Sequence, residues 1–306
     1  MCRAADLQTA VLAKNDQGAK DLRARLAARG TVLVNLMSSP GSGKTALLEA
    51  ELDLARRRSV SVAALTADLA TENDARRLAR SGVPVRQVLT DGLCHLETDM
   101  LGRHLDGWPE QDVRLLFVEN VGNLVCPASY DLGESLRVVL ASVTEGEDKP
   151  LKYPTAFGLA HLVVVTKNDI AAAVEFDREA FLAHVRQVNP GVEVVFTSAR
   201  SGEGVGLLLE RAVAVADGAA PHRPVMGTPA LGLVEDGHAH AHAFGLGHGH
   251  PHAHADGGVD GHGDGHEDGH RHGAAEGHGH APDDPGTPAP AHPDVDAPRD
   301  TAAPAH

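Results

Sequence analysis

The stretch TVLVNLMSSPGSGKTALL at residues 31–48 constrains the fold of this chain more than any other. A nearly continuous apolar run gives way to a turn of Gly, Ser and Pro, and the turn opens a helical pattern. Gly43-Lys44-Thr45 closes the turn. A strand–loop–helix unit of this kind cradles phosphate. Its glycines let backbone N–H groups approach the oxygens, and the helix N-terminus adds partial positive charge. Pro40, Gly41, Ser42, Gly43, Lys44, Thr45 and Ala46 are therefore the candidate phosphate-binding residues. Lys44 is placed to reach the β- and γ-phosphates, and the Thr45 hydroxyl to ligate Mg²⁺. In the general pattern G-x-x-x-x-G-K-[ST] a Gly stands where this chain has Ser38.

Six more short β-branched runs follow, at 60–65, 83–89, 114–120, 137–143, 161–167 and 192–198. Most are continuous rather than alternating, as in strands covered on both faces of a parallel sheet. Helix-like stretches at 45–58, 72–81 and 204–216 lie between them. The alternation predicts an α/β fold, a three-layer P-loop NTPase with a mostly parallel sheet. With aromatics at 3%, its core must rest on Ala, Val and Leu. An N-terminal helix is expected across 5–28, with Leu7, Val11, Leu22 and Leu26 on its apolar face. Residues 145–154, EGEDKPLKYP, read as a mobile loop in which Lys149 and Lys152 belong to a solvated charge run.

The composition changes near residue 220. Residues 238–306 hold 15 of the 20 histidines and one aromatic, Phe244. So few large apolar side chains cannot offset the entropy of ordering a backbone. The chain thus divides into an N-terminal helical segment (1–29), a P-loop domain (30–220) and a disordered His-rich tail (221–306). A net charge of −15 argues against nucleic acid as a partner. Three cysteines cannot build a disulfide framework and fit a reducing compartment. The N-terminus has no apolar signal region, and no 18-residue apolar run spans a membrane, so a cytoplasmic location is expected.

Three further motifs carry chemistry. In VVVTKND, Lys167 and Asp169 end a buried strand, and FTSARSGEG places Ser198 and Ala199 at the end of the next. A carboxylate can accept from both N1–H and the exocyclic amine of guanine, a pair that adenine lacks. A backbone N–H near Ser198-Ala199 can meet the guanine O6. GTP is the favoured nucleotide, although Thr166 stands where guanine-binding proteins usually have Asn. In LLFVENVG, Glu119 occupies a strand end at which a carboxylate can hold Mg²⁺. In LCHLETD, Cys94 and His95 are adjacent, and Cys126 follows the turn after Glu119. Thiolate and imidazole suit Zn²⁺ and Ni²⁺, but adjacent Cys and His also occur as ordinary packing. In the tail, His238, His240, His242, His248, His250, His252, His254, His262, His266, His270, His272, His278 and His280 form low-complexity runs expected to bind several metal ions.

Taken in order, VLVNLMSSPGSGKTALLE, TADLATENDARRL, TDGLCHLETDML, LLFVENVGNLVCPASYDLGE, KYPTAF and VVVTKNDI make residues 30–220 resemble the hydrogenase nickel-incorporation GTPase family HypB. That family belongs to the P-loop class that also holds the urease accessory GTPase. Ser38 is usual there. The resemblance implies GTP hydrolysis coupled to nickel delivery into the [NiFe]-hydrogenase large-subunit precursor, alongside a partner nickel metallochaperone. It also implies a GTP-dependent homodimer. It makes Cys94, His95 and Cys126 a nickel or zinc site, and gives Asp68 a switch role near Mg²⁺ beside Lys44, Thr45 and Glu119. Asp74 is a weaker candidate, equally readable as a helix-start acid. The cysteine-rich N-terminal motif of some members is not expected, since only Cys2 lies there. A nickel-storage protein and a urease-directed GTPase are the alternatives; urease accessory proteins carry Cys-x-His, whereas Cys94 and His95 are adjacent. No built-in arginine finger is evident, which predicts slow turnover without partners.

Overall fold

The computed structural model describes residues 2–68, 73–90, 92–108 and 113–226, with residues 2–8 and 68 as backbone only. All seven strand-like runs form strands: β1 (Val32–Ser38), β2 (Val62–Asp68), β3 (Val85–Leu89), β4 (Leu115–Gly122), β5 (Leu136–Ser142), β6 (Leu162–Thr166) and β7 (Glu193–Phe196). They build one sheet in the order β3-β2-β4-β1-β5-β6-β7. Every pairing is parallel. β1 lies at the centre, between β4 and β5, so the loop leaving it opens where the strand order reverses. Ligands bind at such a crevice, outside the strand carboxyl ends.

Successive side chains along a strand point to opposite faces, and both faces are covered. Val32, Val34 and Leu36 of β1 pack with Leu47, Leu48 and Leu52 of α2 (Lys44–Arg57) and with Leu208 and Leu209 of α8 (Leu207–Ala216). Leu33 faces the opposite way. It joins Leu22 and Leu26 of α1 (Cys2–Ala28) and Met100 and Leu101 of α4 (Thr98–Asp106). Met37 meets Phe157 of α6 (Pro154–Gly158) and Phe181 and Val185 of α7 (Arg178–Val188). The short α3 (Asn73–Ala79) and α5 (Lys149–Lys152) complete the helices. This is the three-layer α/β architecture predicted from the pattern.

Two expectations change. Val11 is 46% exposed, so the buried face of α1 begins lower, at Asn15, and continues through Ala19, Leu22 and Leu26. The Leu7 side chain lies outside the described residues. Residues 145–154 are not a loop. Ser142 and Glu145 form a reciprocal capping box around the turn Val143–Glu145, and α5 follows. Lys149 is buried there, paired with Glu145 at 2.9 Å and set over the Tyr153 ring, while Lys152 stays exposed with Asp148. By contact the chain forms two units, Met1–Val234 and Glu235–His306. α1 belongs to the first. The second, with all thirteen tail histidines named above, lies outside the described residues.

Candidate nucleotide cleft and metal centre

The loop from β1 into α2 turns twice through left-handed backbone, at Gly41 (φ 72°) and Gly43 (φ 91°), where a Cβ would strain the chain. No side chain caps α2, so its first N–H groups remain for a ligand. A cleft of about 500 Å³ opens above it, bounded by this loop together with Ala67, Asp74, Arg77, Val121 and Gly122. Asp74 thus faces the cleft. Arg77, not singled out by motif, lines it too and pairs with Glu49 at 2.6 Å.

At the floor of the cleft, Lys44 Nζ lies 3.1 Å from Glu119 Oε1, and Thr45 Oγ1 donates to the same oxygen at 2.5 Å. Glu119 is 1% exposed, and its Oε2 has no hydrogen-bond partner among the described residues. An orphaned buried carboxylate oxygen is costly unless something binds it. A hydroxyl beside a carboxylate is also the hard-oxygen donor set that Mg²⁺ takes. The residues present fit that ion. The Asp68 side chain lies outside the described residues.

A second cavity of about 210 Å³ adjoins the first, lined by Gly43, Leu47, Asp169, Ser198 and Ala199 among others. Thr166 ends β6 and donates its hydroxyl to the Ser42 carbonyl at 2.5 Å. Lys167 adopts a left-handed conformation and reaches the Gly41 carbonyl at 2.7 Å. The two residues therefore tie the base side to the phosphate loop. Ser198 Oγ donates to Asp169 Oδ1 at 2.6 Å, fixing the carboxylate. The Ser198 N–H is taken by the Glu203 carbonyl. Of the two candidate donors to a base oxygen, that leaves Ala199.

Cys94 and His95 lie between β3 and α4, and Cys126 opens the turn Pro127–Ser129 that follows β4. One ligand atom from each comes together, all within 4.8 Å of one another. Cys94 Sγ is 3.7 Å from His95 Nδ1. The other ring nitrogen, Nε2, lies 3.5 Å from Glu97 Oε1, and the Tyr130 ring stacks on the imidazole at 3.9 Å. At that separation Nε2 makes no hydrogen bond among the described residues, so the carboxylate neighbours the ring without fixing it. Glu97 is a neighbour that no motif singled out, although it is one of the two acids after His95. The other, Asp99, pairs with Lys14. The thiol of Cys126, by hydrogen bond, together with burial and its charge, pushes the Cys94 thiol up. A divalent cation held by these thiolates would favour their deprotonated form and offset that shift. Cys94 and Cys126 remain partly exposed, flanked by Leu93 (42% exposed) and Val125 (64%).

Residues 32–196 match the CobW/HypB/UreG nucleotide-binding domain. A hydrogenase maturation factor HypB from Escherichia coli is 47% identical over 203 residues, which cover 66% of this chain and 70% of that protein. The chain belongs to the HypB family. The HypB of Azotobacter vinelandii is 49% identical over 196 residues, and the match spans 64% of each protein. Among solved structures, HypB from Helicobacter pylori in complex with nickel superposes with a TM-score of 0.62 at 35% identity, covering 66% of this chain and 97% of that one. A HypB structure from Archaeoglobus fulgidus gives the same TM-score at 36% identity, covering 67% and 100%.

Proposed function

We propose that this protein is a GTP-hydrolysing nickel metallochaperone. It helps insert nickel into the large subunit of a [NiFe]-hydrogenase, and its His-rich tail holds nickel in reserve. The observation that carries the reading is the position of β4. This strand brings Glu119 to the phosphate cleft, and four residues beyond its end stands Cys126, beside Cys94 and His95. The names of the HypB relatives favour hydrogenase as the client. The Helicobacter pylori relative is named a hydrogenase/urease maturation factor, so urease is the second client to test. A partner nickel metallochaperone and the large-subunit precursor are the expected macromolecular partners. Free thiols fit a cytoplasmic setting.

The cleft suggests how the sites communicate. Lys44 is held by Glu119. A γ-phosphate competes for the Lys44 charge and frees the carboxylate. Glu119 and Thr45 would then be free to hold Mg²⁺, which would neutralise charge on the phosphates. The tip of β4 moves with Glu119, and the Cys126 turn follows. Cys94, His95 and Cys126 would leave a four-coordinate ion one ligand short, and a two-fold partner would supply the fourth.

The test uses protein lacking residues 238–306. It should bind fewer Ni²⁺ ions in equilibrium dialysis yet hydrolyse GTP as the full chain does. In that protein, Ni²⁺ and Zn²⁺ affinity and the mass in solution should differ between GDP and a non-hydrolysable GTP analogue. By linkage, metal must then change GTP affinity by the same factor. An unchanged nickel count removes the storage role. Equal affinity and mass in both nucleotide states removes the switch. Nickel binding without any GTP hydrolysis leaves storage alone.

A further inference from the structure

The helix α1 bears on the metal centre chiefly through a buried side chain. Asn15 is 6% exposed. Its Oδ1 accepts from the Thr98 N–H at 3.1 Å and lies 3.2 Å from Thr98 Oγ1, which also reaches the Asn15 carbonyl at 3.2 Å. Its Nδ2 donates to the Asp131 carbonyl at 2.7 Å. Thr98 starts α4, three residues after His95, and Asp131 comes five residues after Cys126. A single amide thus bridges the two segments that carry the ligands. Gly18, one turn further on, allows the close approach, because a Cβ there would meet the Thr98 hydroxyl. Two ion pairs, Lys14–Asp99 and Arg23–Asp131, flank the bridge on the same two segments.

The chemistry of the bridge is specific. It needs an acceptor towards one segment and a donor towards the other, which an amide supplies and a carboxylate does not. We propose that Asn15 is a positioning residue of the metal centre: it fixes the spacing between the Cys94–His95 segment and the Cys126 segment so that their ligand atoms converge before metal arrives. The proposal rests on the reading that Cys94, His95 and Cys126 hold the metal. Without the bridge, the polar ties left directly between the two segments are the longer Leu96–Asn120 and Asn123–Cys94 hydrogen bonds, at 3.4 and 3.5 Å; metal binding must then supply more of the order, and affinity falls by that cost.

The experiment titrates full-length protein with Ni²⁺ and follows thiolate-to-nickel charge-transfer absorption. That absorption reports sulfur ligation, so tail histidines enter only as a constant competitor. Asn15→Ala should raise the nickel concentration at half-saturation at least tenfold and alter the band at saturation, with GDP affinity unchanged. Asn15→Asp keeps the acceptor for Thr98 and loses the donor to Asp131. It should show a smaller loss, and it serves as the test if Asn15→Ala does not fold. Arg25→Ala removes the exposed α1 pair with Asp106 and should titrate as wild type. Wild-type titration of the folded Asn15 variants overturns the proposal. So does an equal loss in Arg25→Ala, which would make docking of α1 the cause. If Cys94→Ala keeps the wild-type band, the underlying reading of the metal site fails instead.

Discussion

An ionised carboxylate offers only acceptors, so Asp169, fixed by Ser198 at 2.6 Å, suits a base edge made of donors. Guanine presents such an edge and adenine does not. Asp169→Asn turns one oxygen into a donor that opposes the N1–H of guanine. GTP binding should weaken by at least tenfold, in line with the roughly 1.5–3 kcal/mol of a hydrogen bond to a charged group, and the preference over ATP should narrow. Competition binding with both nucleotides measures it, and equal affinity of the wild type for ATP and GTP would overturn the assignment. Residues of this kind were legible because motif spacing fixes them: Lys44 and Thr45 open α2 after the β1 loop, and Asp169 and Ser198 follow the ends of β6 and β7 in a recognisable order. The Thr166 departure also resolves at this scale, since its hydroxyl suffices to hold the Ser42 carbonyl. Glu97 and Asn15 were not legible as neighbours of the site. The partners of Asn15 lie 83 and 116 residues away in sequence, and an isolated polar residue on a helix carries no periodic signal of what it will meet.

The strands were legible as elements because burial on both faces leaves continuous apolar runs. The helices were less so. α4 and α7 have only a narrow apolar stripe, and the capped turn before α5 hides in a charged stretch because its order comes from the Ser142–Glu145 box rather than from hydrophobicity. In the proposed switch, the coupling element is the tip of β4. β1 and β4 pair through Ser38 and Gly122, and a Cβ on Gly122 would lie 3.2 Å from Pro40 Cα in the phosphate loop. Neither side of that contact is a flexible side chain, so the loop itself must yield. Gly122→Ala should therefore lower GTP turnover and narrow the difference in affinity between GTP and GDP, with a stability cost of about 1–3 kcal/mol as for overpacking. Single-turnover hydrolysis and nucleotide binding decide it; a variant with wild-type values in both would show that the β4 tip does not sense the nucleotide.

At the scale of the whole molecule, the buried Glu51 and the half-buried His161 give stability opposing pH dependences. Glu51 of α2 caps α8, accepting from the Gly206 and Leu209 N–H groups at 2.9 and 3.2 Å. Burial outweighs those donors and pushes its carboxyl up to about 7. His161 accepts from the Arg137 N–H at 3.0 Å, and burial, with the Arg137 charge next, pushes it down to about 4. Their effects have opposite signs. From its ordinary value of 4.5 up to about 7, Glu51 binds more proton in the folded state, so its contribution to stability is lost as pH rises. From about 4 up to its ordinary 6.5, His161 binds more proton in the unfolded state, so its contribution is lost as pH falls. Across the shared window the two slopes oppose each other, and the pair leaves little net change. Glu51→Gln removes one slope. Relative to that variant, wild type should lose up to ~3 kcal/mol between pH 4.5 and 7, by the usual conversion of a pKa shift. Groups common to both proteins cancel in the difference, which isolates Glu51. Urea unfolding at pH 5, 6, 7 and 8 measures it, and parallel stability curves for the two proteins would show that Glu51 keeps its charge beneath α8.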